Sequence, residues 1–444
     1  MRFRHLLAAL VPAGAASALV ILPAGVAAAP QAAAATVGHV TPVVSSPLAY
    51  RYVGKADNPV SGYQYTCQEP GASPNCYTPG ELAKAYDIPS AWTGAGQTIV
   101  LIDAYGDPTL TQDLAVEDKT FKIPAAKLKV VYPTGQTAFN ASNVDQVNWT
   151  GEIALDVESA HAIAPAATID LVVAKNDTDP EMLKALQYAV SHRLGSVLSQ
   201  SYGEAESCEK PAIEKADHQL FETAESEGVS VFAASGDNGA AEPNCAETSY
   251  IKSVGLPAAD PLVTAVGATS LTAAQPKGNY EHETAWDDSY GSSNGGYSKL
   301  FARPAYQKGF VKPSGRGVPD VSYTGDVDNG LLIAWSEGEK ANVGNIYEFG
   351  GTSAGSPAWA AITALADQVH HTRLGFLNGD LYALARGSHY GAVFHDVIHG
   401  NNAVSLLSSA GATVNVAGYP ATPGWDAVTG LGTPNVAELV KYLP

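Results

Sequence analysis

The feature that most constrains the fold of this 444-residue chain is a rhythm of short apolar runs alternating with helical patterns. Runs such as TIVLIDA at 98–104, ATIDLVVA at 167–174 and VSVFAASG at 229–236 are nearly continuous in Val, Ile, Leu and Ala. Runs of this kind read as strands buried on both faces rather than strands with one wet side. Further strands are expected at 127–133, 196–203 and 262–269, with helices at 151–164, 179–194 and 210–228. Strands and helices in that alternation build parallel βαβ units. The expected fold is therefore one large α/β domain, a doubly wound and mainly parallel sheet with helices on both faces. In such sheets the ligand site lies in the loops at the carboxyl ends of the strands. The residues just beyond each apolar run are thus the first candidates for chemistry.

The N-terminus has a different texture. Arg2 and Arg4 precede an apolar stretch at 6–22 and a series of small residues at 26–35. That order reads as a secretory signal over 1–35 and an extracellular protein. Residues 36–75, rich in Ala, Pro, Ser and Gly, read as a short extension before the main domain at 76–444. No other stretch approaches the roughly 20 apolar residues needed to span a bilayer. Export favours disulfides, and Cys67, Cys76, Cys208 and Cys245 lack metal-type CxxC spacing. Three pairings are possible, of which the nearest-neighbour one, Cys67–Cys76 with Cys208–Cys245, is expected. A formal charge of −19 with only 25 basic residues excludes nucleic acid and anionic membrane as partners.

The segment EFGGTSAGSPAWAA at 348–361 sets Ser353 after a glycine-rich turn and before an apolar helical run. A serine there meets free N–H groups and the positive end of the helix dipole, which favour a developing oxyanion. It could equally be an ordinary N-cap. A serine hydroxyl needs a base. Asp103 sits where a subtilisin-type site would place its aspartate, but no His-Gly-Thr-His-like run comes after it, and His161 and His192 read as helix histidines. The helix NWTGEIALDVESAHAIAP offers carboxylates instead. Glu152 and Asp156 are four apart and share a face, whereas Glu158 falls on another. Two adjacent carboxyls can share a proton and accept one from serine at a pH where histidine is already charged. Asp237 ends a buried strand inside SGDNG. As an oxyanion donor it works only when protonated; as a turn residue it is unremarkable. Both acid motifs, read as chemistry, require acidic conditions.

GGTSAGSP, the Glu152-x-x-x-Asp156 helix and SGDNG, in register with SQSYGEAE at 199–206 and RGVPDVSY at 316–323, resemble the sedolisins, serine-carboxyl peptidases of subtilisin-like fold. The resemblance runs from about residue 76 to the C-terminus. It implies Ser353 as nucleophile, Glu152 as base, Asp156 as its hydrogen-bonded partner and Asp237 as oxyanion stabiliser. It implies a peptide-binding cleft edged by 199–203 and 234–236, with Ser201, Tyr202, Gly203, Ser235 and Gly236 against the substrate. It also implies one Ca2+ ion held by the carboxylates of Asp396 and Asp426 and the carbonyls of Val397, Thr422 and Gly424; an all-oxygen set suits that ion. Where many members of the family carry Gly, this chain has Thr422. The family's long N-terminal prodomain has no counterpart among the residues between the signal and the resemblance. The expectation is a secreted, monomeric endopeptidase acting on polypeptides at acid pH. A catalytically silent binding protein on the same fold and a His-dependent subtilisin-like hydrolase are the alternatives. Four intact candidate side chains weigh against the first and the missing histidine motif against the second.

Overall fold

Along the strand Thr98–Ala104, alternate side chains enter two different cores, as the period-two geometry of a strand dictates. Ile99 and Leu101 pack with Ile153 and Leu155 of the helix Val144–Ile163 and with Ala358 and Leu365 of the helix Gly355–His370. Val100 and Ile102 pack on the other side with Met182 and Leu186 of Asp179–Ser191 and Phe221 of Pro211–Ser226. Both faces of the sheet are thus covered, which is why its strands carry no polar alternation. The protein is seen as a computed structural model that describes residues 49–56, 65–69 and 71–444; the expected signal at 1–35 lies outside the described residues.

An eight-stranded sheet runs in the order Lys127–Val131, Thr168–Ala174, Thr98–Ala104, Val197–Gln200, Ser230–Ala234, Thr264–Ala274 and Val321–Thr324. These strands are parallel. Asn279–Ala285 adds the antiparallel member, along the far half of Thr264–Ala274. Two consecutive strands are laid down on one side of Thr98–Ala104 before the chain returns to add Val197–Gln200 on the other. That reversal is the topological switch point, and the carboxyl ends of Val197–Gln200 and Ser230–Ala234 open beside it. The fold is the subtilisin-like α/β architecture expected.

A second sheet of four strands orders Tyr50–Lys55, Asn345–Phe349, Asn329–Ala334 and Asn75–Tyr77. Its first strand comes from the stretch read as an extension. Tyr50–Lys55 pairs antiparallel with Asn345–Phe349, the strand that runs directly into the serine turn. The bond from Gly350 N–H to the Ala49 carbonyl, 3.1 Å, carries that pairing to the edge of the turn. Both expected disulfides form, Cys67–Cys76 and Cys208–Cys245. The first ties the chain before Asn75–Tyr77 to that strand.

The helix Val144–Ile163 starts earlier than its apolar pattern suggests, because Asn143 caps it by accepting from Asp145 N–H at 2.9 Å and Gln146 N–H at 3.2 Å. It packs against the central sheet, the Gly355–His370 helix and the strand Asn329–Ala334. Every residue from Trp149 to His161 is buried. A helix enclosed on all sides forces its acids into the interior along with its apolar residues. No helix among the described residues is long and apolar enough to cross a membrane.

Candidate active site

Ser353 does not cap a helix. It lies in a 3-10 turn, Thr352–Ala354, that precedes the helix Gly355–His370, and neither element has a side-chain cap. The turn is entered through Gly351 at φ +98°, where a Cβ would also stand 2.6 Å from Asp237 Oδ2. Glycine is required there twice over, for the backbone angle and for the close approach of the acid. With the capping role gone, the hydroxyl of Ser353 is left at the floor of a cleft.

Two acid groups reach this turn from different elements. The helix Val144–Ile163 packs against Thr352–Ala354 and brings Glu152 and Asp156, both fully buried, beneath the cleft rather than into its open part. Asp156 lies near the Ser201 hydroxyl, and Ser201 Oγ donates to the Ser353 carbonyl at 3.3 Å, so Ser201 stands between the acid helix and the serine turn. Burial raises the Asp156 carboxyl well above the usual range; the negative fields of Asp103 and Glu152 add to this, and the Ser201 hydroxyl opposes it. Asp103, at the carboxyl end of the central strand, is itself pushed to about 7 by burial. Acids buried this close together cannot all ionise, so Asp103 and Asp156 hold their protons above the ordinary carboxyl range.

The second acid is Asp237. Its Oδ1 accepts from Thr352 N–H at 2.8 Å and from Thr352 Oγ–H at 2.7 Å, while its buried Oδ2 has no hydrogen-bond partner among the described residues. Burial raises its pKa to about 6, against the pull of the two Thr352 bonds. An oxygen that accepts twice is the carbonyl-like one, so when the acid is protonated the hydrogen resides on Oδ2. Thr352 Oγ also accepts from Gly236 N–H at 3.0 Å and so ties the SGDNG loop to the serine turn.

The residues read from the sequence as substrate contacts come together. Ser201, Tyr202, Gly203, Ser235 and Gly236 line one hollow with Asp237 and Ser353. Tyr202 is held by a 2.7 Å bond from its hydroxyl to Gln200 Oε1, and Ser235 Oγ donates to the Asn294 carbonyl at 2.8 Å. Gly236 lines the hollow, but its N–H goes to Thr352 and its carbonyl accepts Asn294 N–H at 2.8 Å. Its backbone is committed to holding the loop. Three residues of the site went unassigned in the sequence: Thr352, Asp103 as a neighbour of Asp156, and Glu242, which lines the hollow. Asp103 alone left a usable signal, an acid ending a buried strand at the switch point.

At the C-terminal loops, Asp396 reaches across to Gly424 N–H with both oxygens, at 3.1 and 3.0 Å. Asp426 accepts from Thr422, Val428 and Thr429 N–H groups at 2.8–2.9 Å. Both acids act electrostatically on Tyr390, whose hydroxyl donates to Asp396 at 3.0 Å, and neither pairs with Lys or Arg among the described residues. Two uncompensated carboxylates facing one loop form a hard-oxygen donor set that fits a calcium ion. Glu117, Asp118 and His161 also bring ligand atoms within 4.8 Å of one another. There His161 Nε2 faces Asp118 at 2.8 Å and the Pro124 carbonyl at 2.9 Å. An Nε2 facing a carbonyl must carry its hydrogen, so it is a donor that ties the two helices and has no lone pair to offer a metal.

The subtilase family model matches residues 134–378. Kumamolisin from Bacillus sp. (strain MN-32) is 35% identical over 396 residues, covering 86% of this chain and 66% of that protein. A tripeptidyl-peptidase, SED2 of Arthroderma otae (strain ATCC MYA-4605 / CBS 113480), is 32% identical over 303 residues, covering 61% of this chain and 46% of that protein. The chain thus spans between about half and two thirds of the length of these curated relatives. Among solved structures, Pseudomonas sedolisin (serine-carboxyl proteinase) complexed with two molecules of pseudo-iodotyrostatin aligns with a TM-score of 0.70 at 28% identity, over 84% of this chain and 98% of that one.

Proposed function

The chain belongs to the sedolisin family of subtilases, and from that premise we propose that it is a serine-carboxyl peptidase that hydrolyses polypeptides in an acidic medium. The observation that carries this reading is the asymmetry of Asp237. One oxygen accepts twice from Thr352 and the other, buried, has no hydrogen-bond partner among the described residues, which leaves it as the place for a proton.

In this mechanism Ser353 Oγ attacks the scissile carbonyl and gives its proton to Glu152. Asp156, one helical turn from Glu152 on the same face, acts as its partner and shares a proton with the neighbouring carboxyls. The oxyanion forms against Asp237 Oδ2–H and the Ser353 N–H at the helix start. Glu152 returns the proton to the leaving amine, and water repeats the sequence on the acyl-enzyme. A histidine would be charged and useless as a base where this site works. The enzyme is read as secreted and monomeric, cleaving within chains. One calcium ion, held by Asp396, Asp426 and the Val397, Thr422 and Gly424 carbonyls, would tie the two C-terminal loops together.

The test is a pH–activity profile on denatured protein. Wild type is expected to cleave only in acid, and Ser353→Ala and Glu152→Gln each to lose about three or more orders of magnitude in kcat. A neutral optimum insensitive to Glu152→Gln sinks the carboxylate mechanism. N-terminally acetylated peptides separate internal cleavage from tripeptide release, since blocked ends stop only the latter.

A further inference from the structure

Glu242 has no part in that mechanism, yet it sits in the hollow beside Ser353. It belongs to the short strand Ala241–Pro243, and its carboxyl lies between two glycines. A Cβ on Gly236 would come within 2.7 Å of Glu242 Oε1, and one on Gly255 within 3.2 Å. Gly236 also needs its φ of +116°. Both positions leave the carboxyl facing the hollow, where any side chain would crowd it.

That carboxyl is unusual. Glu242 is only 4% exposed, yet neither oxygen has a hydrogen-bond partner among the described residues. With no bond to hold them, its oxygens open onto the hollow, where an incoming group can meet them. The charged groups acting on it, Asp237 and Glu204, are both acids, and no Lys or Arg lines the hollow. Lys252, one strand away, is occupied elsewhere: its Nζ donates to the Ala417 carbonyl and lies 4.0 Å over the Tyr419 ring.

Position supplies the rest. A carbonyl carbon within reach of Ser353 Oγ, with its oxygen at Asp237 Oδ2, sends the side chain of the acyl residue into the hollow contiguous with both groups. We propose that Glu242 selects a lysine or arginine side chain at that acyl position; this rests on the peptidase reading of Ser353. An arriving cation lets Glu242 ionise, so one positive charge enters and one proton leaves. An apolar side chain leaves the acid unpaired, and an acidic one adds a like charge.

The experiment uses Ser353→Ala protein and peptides identical except for Lys, Arg, Gln or Leu at the acyl position. Titration calorimetry near pH 5, in two buffers of different ionisation enthalpy, reads affinity and proton release together. The Lys and Arg peptides are expected to bind at least about 30-fold tighter than the Leu peptide, with about one proton released. Adding Glu242→Gln is expected to abolish both effects with the melting temperature unchanged. Equal affinities, no binding by any peptide, a preference that survives Glu242→Gln, or tightest binding of the Gln peptide without proton release each overturns the proposal. Wild-type cleavage of the same peptides distinguishes the two readings. Selective binding without any cleavage removes the peptidase reading and leaves the receptor; cleavage without preference does the reverse.

Discussion

Asp237 and Asp426 are the same residue under nearly the same constraint, and their oxygens are satisfied in opposite ways. Each is buried, and burial pushes each to about 6. The difference is in how their oxygens are satisfied. Asp426 receives N–H donors on both oxygens, from Thr422 on one and from Val428 and Thr429 on the other. Asp237 receives both of its donors on one oxygen, from one residue. The donors pull both acids toward the ionised form, and spread over both oxygens, as in Asp426, they also fix a loop. Donors gathered on one oxygen fix the rotamer and leave the second oxygen to hold a proton. Burial alone therefore does not tell the two acids apart; the distribution of their hydrogen bonds does.

The comparison breaks first at Asp237. Asp237→Ala is expected to lower kcat by about 10²–10³, the usual cost of one oxyanion donor. Asp237→Asn keeps a neutral donor on one side and an acceptor for Thr352 on the other, and so resembles the protonated acid. It is expected to retain much more activity than the alanine variant and to lose the alkaline limb near pH 6, because its donor no longer titrates. The sign comes from the raised pKa: the wild-type donor is present below about 6 and lost above it. If Asn and Ala behave alike across pH, the proton on Oδ2 is not the donor.

Asp426 is expected to fail differently. Asp426→Ala strands three backbone N–H groups and should cost about 1–3 kcal/mol, read as a lower melting temperature with kcat of the folded protein little changed. Calcium should raise the wild-type melting temperature, and chelation or Asp396→Ala should remove that increment. An unchanged melt discards the ion site. A large loss in kcat from Asp426→Ala would erase the contrast with Asp237.

Legibility in the chain divides along the same line between local and distant causes. The strand Thr98–Ala104 is legible residue for residue, because an unbroken apolar run between polar neighbours has one solution. The spacing of Glu152 and Asp156 is legible because helical geometry is local. Full enclosure of that helix is not, since it depends on a second sheet whose strand Tyr50–Lys55 pairs with residues nearly three hundred positions away. The strand Thr264–Ala274 runs past the expected 269 for a similar reason: its second half is held by Asn279–Ala285, an antiparallel neighbour that no apolar run announces. RGVPDVSY matches the family and yet does no chemistry. Its Arg316 and Asp320 form a fully buried pair at 2.6 Å that also anchors Val263 and Ala265, next to the strand that borders the site. A motif can mark a family through its scaffold as readily as through its site.

The finest expected effect lies at Thr352, whose role no spacing could reveal. Its hydroxyl and N–H both lower the pKa of Asp237, in opposition to burial. Thr352→Val keeps the shape and the N–H but removes one of the two bonds. The ionised carboxylate loses more from this than the neutral acid, so the Asp237 pKa should rise and the alkaline limb of the profile should move upward by roughly one pH unit, about 1.4 kcal/mol. The same substitution frees Gly236 N–H from its 3.0 Å bond, so KM is expected to rise as the loop loosens. The two readouts separate the roles. A shifted limb with unchanged KM makes Thr352 a regulator of the proton alone, and a raised KM with an unmoved limb makes it only a tie between loops. If neither moves, the saturation of Oδ1 is not what keeps the proton on Oδ2, and the contrast with Asp426 loses its cause.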